Sequence, residues 1–321
     1  MRRHLAGIGV ALLAAGLMAG CAKPEEEEQE QARERQGPIV VGFSQIGAES
    51  AWRTAETRSI KAEAEKRGVE LKFAGGQQKQ ENQIQAIRSF IAQKVDAIIL
   101  APIVKTGWDP VLREARDAGI PVVLVDRGIE VSQPGLYEVL IASDFVEEGR
   151  MAGRWLAEHT EGTAKIVEIT GTPGSDPAID RHKGFQEIID EHPQMEIIAS
   201  QTANFRRAEG KDVMANIVNA KGEDIEAVYA HNDDMALGAI QALEDGGMKP
   251  GDRVLVVSID GIKDALQAII DGQLNCSVEC NPLLGPKAFD AVEHALFRRI
   301  TIQDRLFDKS NAADYIDQRK Y

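Results

Sequence analysis

Ile39-Val40-Val41-Gly42-Phe43-Ser44, then Gln45-Ile46-Gly47-Ala48-Glu49-Ser50, then Ala51-Trp52-Arg53 is the stretch whose reading decides the fold. It opens as a β-branched, apolar run, is broken by polar and small residues, and continues from Trp52 as a helix-like run to Lys66-Arg67-Gly68. Strand, polar loop and helix in that order form the opening unit of a parallel α/β sheet. Ligands of such sheets sit outside the carboxyl ends of the strands, which puts residues 45–53 on a binding edge. Trp52 offers a flat apolar face there, and Glu49 and Arg53 offer directional hydrogen bonds suited to hydroxyl groups. A plainer reading makes Trp52 the first core-facing residue of its helix, with both charges in solvent. This stretch alone leaves the two open.

Downstream, the same unit repeats. Strands are predicted over 69–74, 97–102, 120–125, 136–142, 164–170, 196–200, 227–230 and 253–259. Helices alternate with them from 81, and over 108–118, 145–159, 179–191, 208–220, 233–245 and 265–271. Ile84, Ile87 and Ile91 recur at i, i+3 and i+7, with Phe90 beside them, giving the second helix one apolar face. Strands alternating with helices of this length are parallel βαβ units, and there are enough for two doubly wound sheets. The fold class is therefore α/β with two lobes, since the length exceeds one comfortable core. The first crossing between lobes is placed near Asp144.

Upstream, residues 1–21 read as a lipoprotein signal peptide. Met1-Arg2-Arg3-His4 is basic, the apolar run over 5–17 is too short to span a bilayer, and Leu17-Met18-Ala19-Gly20-Cys21 ends in small residues and a cysteine, as a bacterial lipobox does. Cys21 is the expected lipidation site, and the mature chain is expected outside the cytoplasm, anchored to the membrane. Residues 22–37, with Glu25-Glu26-Glu27-Glu28-Gln29-Glu30-Gln31 at their centre, cannot bury enough apolar surface to offset their ordering entropy and read as a disordered tether. A net charge of -14, from 51 acidic and 37 basic residues, argues against nucleic acid as a partner. Beyond Cys21 only Cys276 and Cys280 remain, in a strand-like segment. Four residues along a strand is roughly 13 Å, beyond disulfide reach, so both are expected as small buried residues.

Polar residues gather where strands end. Asp126-Arg127 follows one, Thr172-Pro173-Gly174-Ser175-Asp176 and Arg181 another, His231-Asn232-Asp233-Asp234 a third and Asp260-Gly261 a fourth. Carboxylates, guanidiniums and amides suit a ligand with many hydroxyls, because each missing hydroxyl would leave a buried polar group unpaired. Taken singly, Asp233 or Asp260 reads equally well as a cap on the helix that follows. Signatures of catalysis are absent from the sequence: it has no P-loop, no GxGxxG after a strand, no GxSxG and no HExxH. No metal and no cofactor is expected, adjacent carboxylates at Asp233-Asp234 pointing in different directions.

These residues carry a resemblance. The lipobox, Val41-Gly42-Phe43-Ser44, Asp126-Arg127, Ala142-Ser143-Asp144, Arg181, residues 232–239 and Asp260-Gly261 together resemble the pentose/hexose class of ABC-transporter solute-binding proteins of the periplasmic binding protein type I fold. Residues 45–53, 75–83 and 101–108 are similar to the galactofuranose-binding branch. The resemblance implies a sugar ligand, galactofuranose or a related mono- or oligosaccharide, delivered by a monomer to an ABC permease. By position it implies ligand contacts at Glu49, Ser50, Ala51, Trp52, Arg53, Asp126, Arg127, Arg181, Asn232 and Asp260, and less directly at Ser44, Asp144 and Phe205. It implies three passages of the chain between lobes, near Asp144, Asn281 and Asp308. One lobe is then 38–143 with 281–307, the other 144–280 with 308–321, and they close about the hinge on the ligand. The chain departs from ribose-type relatives in lacking their adjacent aromatics in the first loop and their glutamine near Glu279 and Cys280.

Three rival classes share parts of this pattern. A repressor effector domain is set aside by the lipobox and by the missing helix-turn-helix. A lipid-anchored sensor presenting its bound form to a receptor or kinase differs only in its partner. A glycoside hydrolase needs two carboxylates about 5 Å or about 6.5–9.5 Å apart across one bond, for which Asp126 and Asp260 are the candidates.

Overall fold

The computed structural model describes residues 37–294, 298–302 and 304–320. Cys21 and, but for Gly37, the acidic tether lie outside the described residues.

In chain order the elements are β1 (Val40–Gln45), α1 (Ala51–Lys66), β2 (Glu70–Gly75), α2 (Gln80–Ala92), β3 (Ala97–Leu100), α3 (Asp109–Asp117), β4 (Val122–Val125) and β5 (Val139–Ser143). There follow α4 (Phe145–His159), β6 (Thr163–Thr170), α5 (Asp176–Ile189), β7 (Gln194–Thr202), α6 (Arg207–Lys221), β8 (Ala227–Ala230), α7 (Asp233–Asp245), β9 (Leu255–Asp260), α8 (Lys263–Ile270) and β10 (Cys276–Glu279). The chain ends with α9 (Gly285–His294), β11 (Arg298–Ile302), β12 (Leu306–Asp308) and the single turn α10 (Ala312–Tyr315). Two six-stranded sheets result, ordered β11-β5-β4-β3-β1-β2 and β12-β10-β9-β8-β6-β7. All pairings are parallel except β12, which runs antiparallel to β10 with Ser277 opposite Phe307.

The doubly wound α/β reading therefore holds. The central strands β3, β4 and β8 are apolar and buried along their whole length, as strands covered by helices on both faces must be. Helices α4 and α7 and strand β8 fall on the residues predicted for them. Helix α5 begins at Asp176, three residues ahead of Ile179, because Pro177 sits in its first turn, where the missing N–H costs nothing. The elements after residue 280 were not foreseen.

The chain passes between the sheets three times: between β5 and α4, between β10 and α9, and between β11 and β12. Against the expected passage near Asp308, Leu306 and Phe307 already pair in the second sheet. The three passages are knit together. Ser143 Oγ on the first donates to Asp304 Oδ1 on the third (3.1 Å) and lies 3.7 Å from Cys280 Sγ on the second. Burial pushes the Asp304 carboxyl up to about 8, with the nearby Glu148 adding to it. Cys276 and Cys280 are both buried and free.

Helices α4 and α5 cross at glycines. A Cβ on Gly149 would lie 2.2 Å from the Arg181 carbonyl oxygen, and one on Gly184 would lie 1.8 Å from that of Val146. Only backbone meeting backbone allows this approach, and it sets the position of Arg181.

Candidate functional site

Helix α1 begins at the N-cap Ser50, whose Oγ accepts from the Arg53 N–H (3.1 Å). The cap aims the first turn at the gap between the sheets. There Ala51 N–H donates to Asp234 Oδ2 of the other lobe (2.8 Å), and Trp52 Nε1 donates to the Cys280 carbonyl (2.6 Å). Trp52 is 5% exposed and packs with the second lobe's apolar core, as the plainer reading has it, and it also lines a cleft. The solvated charges of that reading do not hold, since the side chains of Glu49 and Arg53 are both buried.

Arg53 is buried among three carboxylates. Its Nε donates to Glu49 Oε1 (3.2 Å), its Nη2 to Asp126 Oδ2 (2.5 Å) and its Nη1 to Glu56. Burial works against its charge, but Asp126, Glu56 and Glu49 outweigh that and hold its pKa well above the ordinary value. Glu56 is held in turn by Gln45 Nε2 (3.0 Å). Asp126, just past β4, has φ 65°. Next to it the Arg127 guanidinium lies 5.1 Å from the Phe205 ring centroid and donates Nη1 to the Ile103 carbonyl (3.1 Å). Burial, with Arg53 close by, pulls the Arg127 pKa down to about 10.

The second lobe supplies the facing groups. Arg181 donates Nε to Glu148 Oε2 (2.8 Å) and Nη1 to the His231 carbonyl (2.5 Å), and its Nη2 is 3.8 Å from Asp260 Oδ1. Burial drives the Asp260 carboxyl well above its usual range despite Arg181. Asn232 is the N-cap of α7, its Oδ1 accepting from Met235 N–H (3.0 Å), and its Nδ2 is 3.4 Å from the Phe205 carbonyl. Capping, weighed earlier for Asp233 and Asp260, falls to Asn232 on α7, while α8 has Ile262 at its N-cap and no side-chain cap. Asp233 lies beneath, accepting from Ser258, Ser277 and the Ile262 N–H. Asp260 ends β9 at φ 135°. With Phe205 at φ 60°, three wall residues stand in the left-handed region, each at a cost of about 1–3 kcal/mol that the surrounding structure sustains.

Together these residues line a narrow cleft, with a cavity volume of about 20 Å³. Glu49, Ser50, Trp52, Arg53, Asp126, Arg127, Arg181, Phe205, Asn232 and Asp260 line it, joined by Pro177, which the sequence did not single out, and by Cys280, expected only as a small buried residue. Three expected residues do not line it. Ala51 serves through its N–H, Ser44 is buried in β1, and Asp144 is exposed and caps α4 by accepting from Glu147 N–H (3.1 Å). Two buried polar atoms of the wall, Glu49 Oε2 and Arg127 Nε, have no hydrogen-bond partner, although Arg127 Nε is 3.5 Å from Asp126 Oδ2. An acceptor and a donor left so are what a hydroxyl-bearing ligand would satisfy.

The lobes also touch around the cleft. Asp176 accepts from Gly128 N–H (2.8 Å) through Oδ2 and pairs with Lys105 Nζ (2.6 Å) through Oδ1, and Lys105 N–H donates to the Gly174 carbonyl (3.0 Å).

Comparison with known proteins agrees with this architecture. The galactofuranose-binding protein YtfQ of Escherichia coli (strain K12) is 53% identical over 259 residues, covering 80% of this chain and 81% of that protein. A crystal structure of a galactofuranose binding protein superimposes with a TM-score of 0.87 at 48% identity, covering 88% of this chain and 99% of the other. The periplasmic binding protein component of the arabinose ABC transporter from Shewanella sp. ANA-3, bound to α- and β-L-arabinofuranose, does so with a TM-score of 0.85 at 49% identity, covering 88% and 95%. A family model described as a periplasmic binding protein domain matches residues 41–296, and the chain belongs to that family.

Proposed function

We propose that this chain captures a furanose sugar, galactofuranose or a close relative, between its lobes and delivers it to an ABC permease. The observation that carries the reading is the cleft wall itself. Two aromatic faces, Trp52 and Phe205, stand among Glu49, Arg53, Asp126, Arg127, Arg181, Asn232 and Asp260, with a donor and an acceptor still unpaired. Aromatic faces suit the C–H side of a sugar ring, and the charged groups suit its hydroxyls. Two similar proteins are named for galactofuranose and one holds arabinofuranose, which supports the five-membered ring. A ligand touching both lobes stabilises the closed form over the open one, and only that difference shifts the equilibrium. In this reading the chain is no enzyme, works as a monomer outside the cytoplasm, and is tethered through lipid on Cys21. Its lobes are 38–143 with the stretch from 281 through β11, and 144–280 with the tail.

The test is calorimetric titration with D-galactose, L-arabinose and D-ribose, with NMR of ¹³C-labelled galactose reporting which ring form is bound. Bound furanose resonances enriched over the free equilibrium are expected. Binding of the pyranose alone overturns the ring assignment.

A further inference from the structure

One residue breaks the apolar run of an inner strand. β6 carries Ile166, Val167, Glu168 and Ile169 in succession, all fully buried, and Glu168 has no part in the cleft lining. A buried charge is costly unless paired, and apolar residues of similar size would serve stability as well. The parallel register sets Glu168 opposite Ser200 on β7 and Tyr229 on β8. Its Oε2 accepts from Ser200 Oγ (2.6 Å), and its Oε1 accepts from both His182 Nδ1 (2.8 Å) and His231 Nε2 (3.0 Å). Burial works against its charge, but the bonds from His182 and His231 outweigh that and hold its pKa below the usual carboxylate range. His182 is half-exposed and does not line the cleft. His231 is fully buried just past β8, and it is the link to the sugar site. Burial foremost pulls its pKa below the ordinary value despite Glu168, so at neutral pH the imidazole carries a single N–H. With Nε2 donating to Glu168, Nδ1 keeps a lone pair, and it accepts from Gly171 N–H (3.5 Å). The Phe205 ring lies on Gly171 so closely that a Cβ there would come within 1.8 Å of it. The His231 carbonyl holds Arg181 Nη1 (2.5 Å), and Asn232 is the next residue.

We infer that Glu168 is a positioning residue for the second lobe's half of the sugar site: by accepting from His231 Nε2 it holds that imidazole in one tautomer, and through it places Phe205, Arg181 and Asn232. This deepens the function proposed above and rests on it. Glu168 itself touches no sugar atom. Without its acceptor the imidazole is free to move the proton to Nδ1, which sets N–H against N–H at Gly171. The floor under the Phe205 ring and the carbonyl that holds Arg181 then lose their common anchor.

The experiment titrates the intact chain with D-galactose and L-arabinose and reads its histidine rings by long-range ¹H–¹⁵N NMR, which distinguishes the tautomers. The unaltered chain should show His231 neutral with its proton on Nε2. Glu168→Met is close in size but lacks the acceptor, and it should bind the sugars at least tenfold more weakly while His231 leaves that tautomer. Glu168→Gln keeps an acceptor and should stay within about threefold of the parent, as should His182→Gln. Should Glu168→Met not fold, Glu168→Asp, whose carboxylate falls one methylene short of His231, takes its place under the same expectations. A parent His231 with its proton on Nδ1 overturns the inference. So does unchanged affinity in Glu168→Met, or a loss of affinity with the His231 tautomer unchanged, which would mark a merely structural role. Failure of the unaltered chain to bind either sugar strikes instead at the proposed function, and takes this inference with it.

Discussion

Arg127 concentrates what the site does at the level of single residues. Its guanidinium is buried, one N–H has no hydrogen-bond partner, and burial with Arg53 beside it lowers its pKa to about 10, so a ligand oxygen there would relieve a standing cost. Arg127→Ala or Asp260→Ala strands such an oxygen or hydroxyl at about 1–3 kcal/mol, or about fivefold to over a hundredfold in affinity. Calorimetry should find that loss while ligand-free urea midpoints stay near those of the parent. Unchanged affinity in both variants would mean that neither side chain touches ligand. Most of this wall was legible as the polar residues that follow strands. What was not legible is the layer behind it. Glu56, itself held by Gln45, and Glu148 are buried carboxylates that hold Arg53 and Arg181, and nothing in composition separates the two from solvated helix residues. One signal was available: Glu56 is three residues beyond Arg53, on the same helix face. Asp144 misled because a residue at the start of a helix has capping as its simplest use.

Among elements, the α4–α5 crossing and the three passages carry separate predictions. Gly184→Ala forces a methyl into the Val146 carbonyl and should destabilise the fold by about 1–3 kcal/mol. Because Arg181 is on the same helix, sugar affinity should fall with it; chemical unfolding and titration read the two effects side by side. The Asp304 carboxyl, near 3.8 in an unfolded chain, is held at about 8. The folded state therefore keeps a proton that the unfolded state gives up, so this contribution is full below pH 4 and is lost as pH climbs toward 8. Asp304→Asn should show a flatter decline in urea midpoint between pH 5 and 8, and a decline as steep as the parent's would rule out this carboxyl as its source. Strand and helix positions up to residue 280 were legible because period and turn residues agree with the sheet. The last three passage-related elements were not, since α9, β11 and β12 take their places only from contacts distant in sequence.

For the molecule as a whole, affinity includes the balance between open and closed lobes, and the apparent dissociation constant rises as the closed fraction falls. Asp176 lies outside the cleft lining, yet it joins the lobes through Gly128 and Lys105. Asp176→Ala should weaken every bound sugar by about the same factor, for the loss of two contacts worth about 0.5–1.5 kcal/mol each, or about fivefold to over a hundredfold in affinity. X-ray scattering of the ligand-free variant should show a larger radius of gyration. A change in sugar preference without a change in radius would count against closure as the cause. The third passage has a further consequence, in time rather than in space. Helix α9 lays Ala288, Phe289 and Ala291 into the first lobe's core and β11 completes its sheet, yet both come after nearly all of the second lobe in the chain. A growing or threaded chain thus has the means to finish its second lobe while the first still waits for its wall, so the half that is made first is completed last.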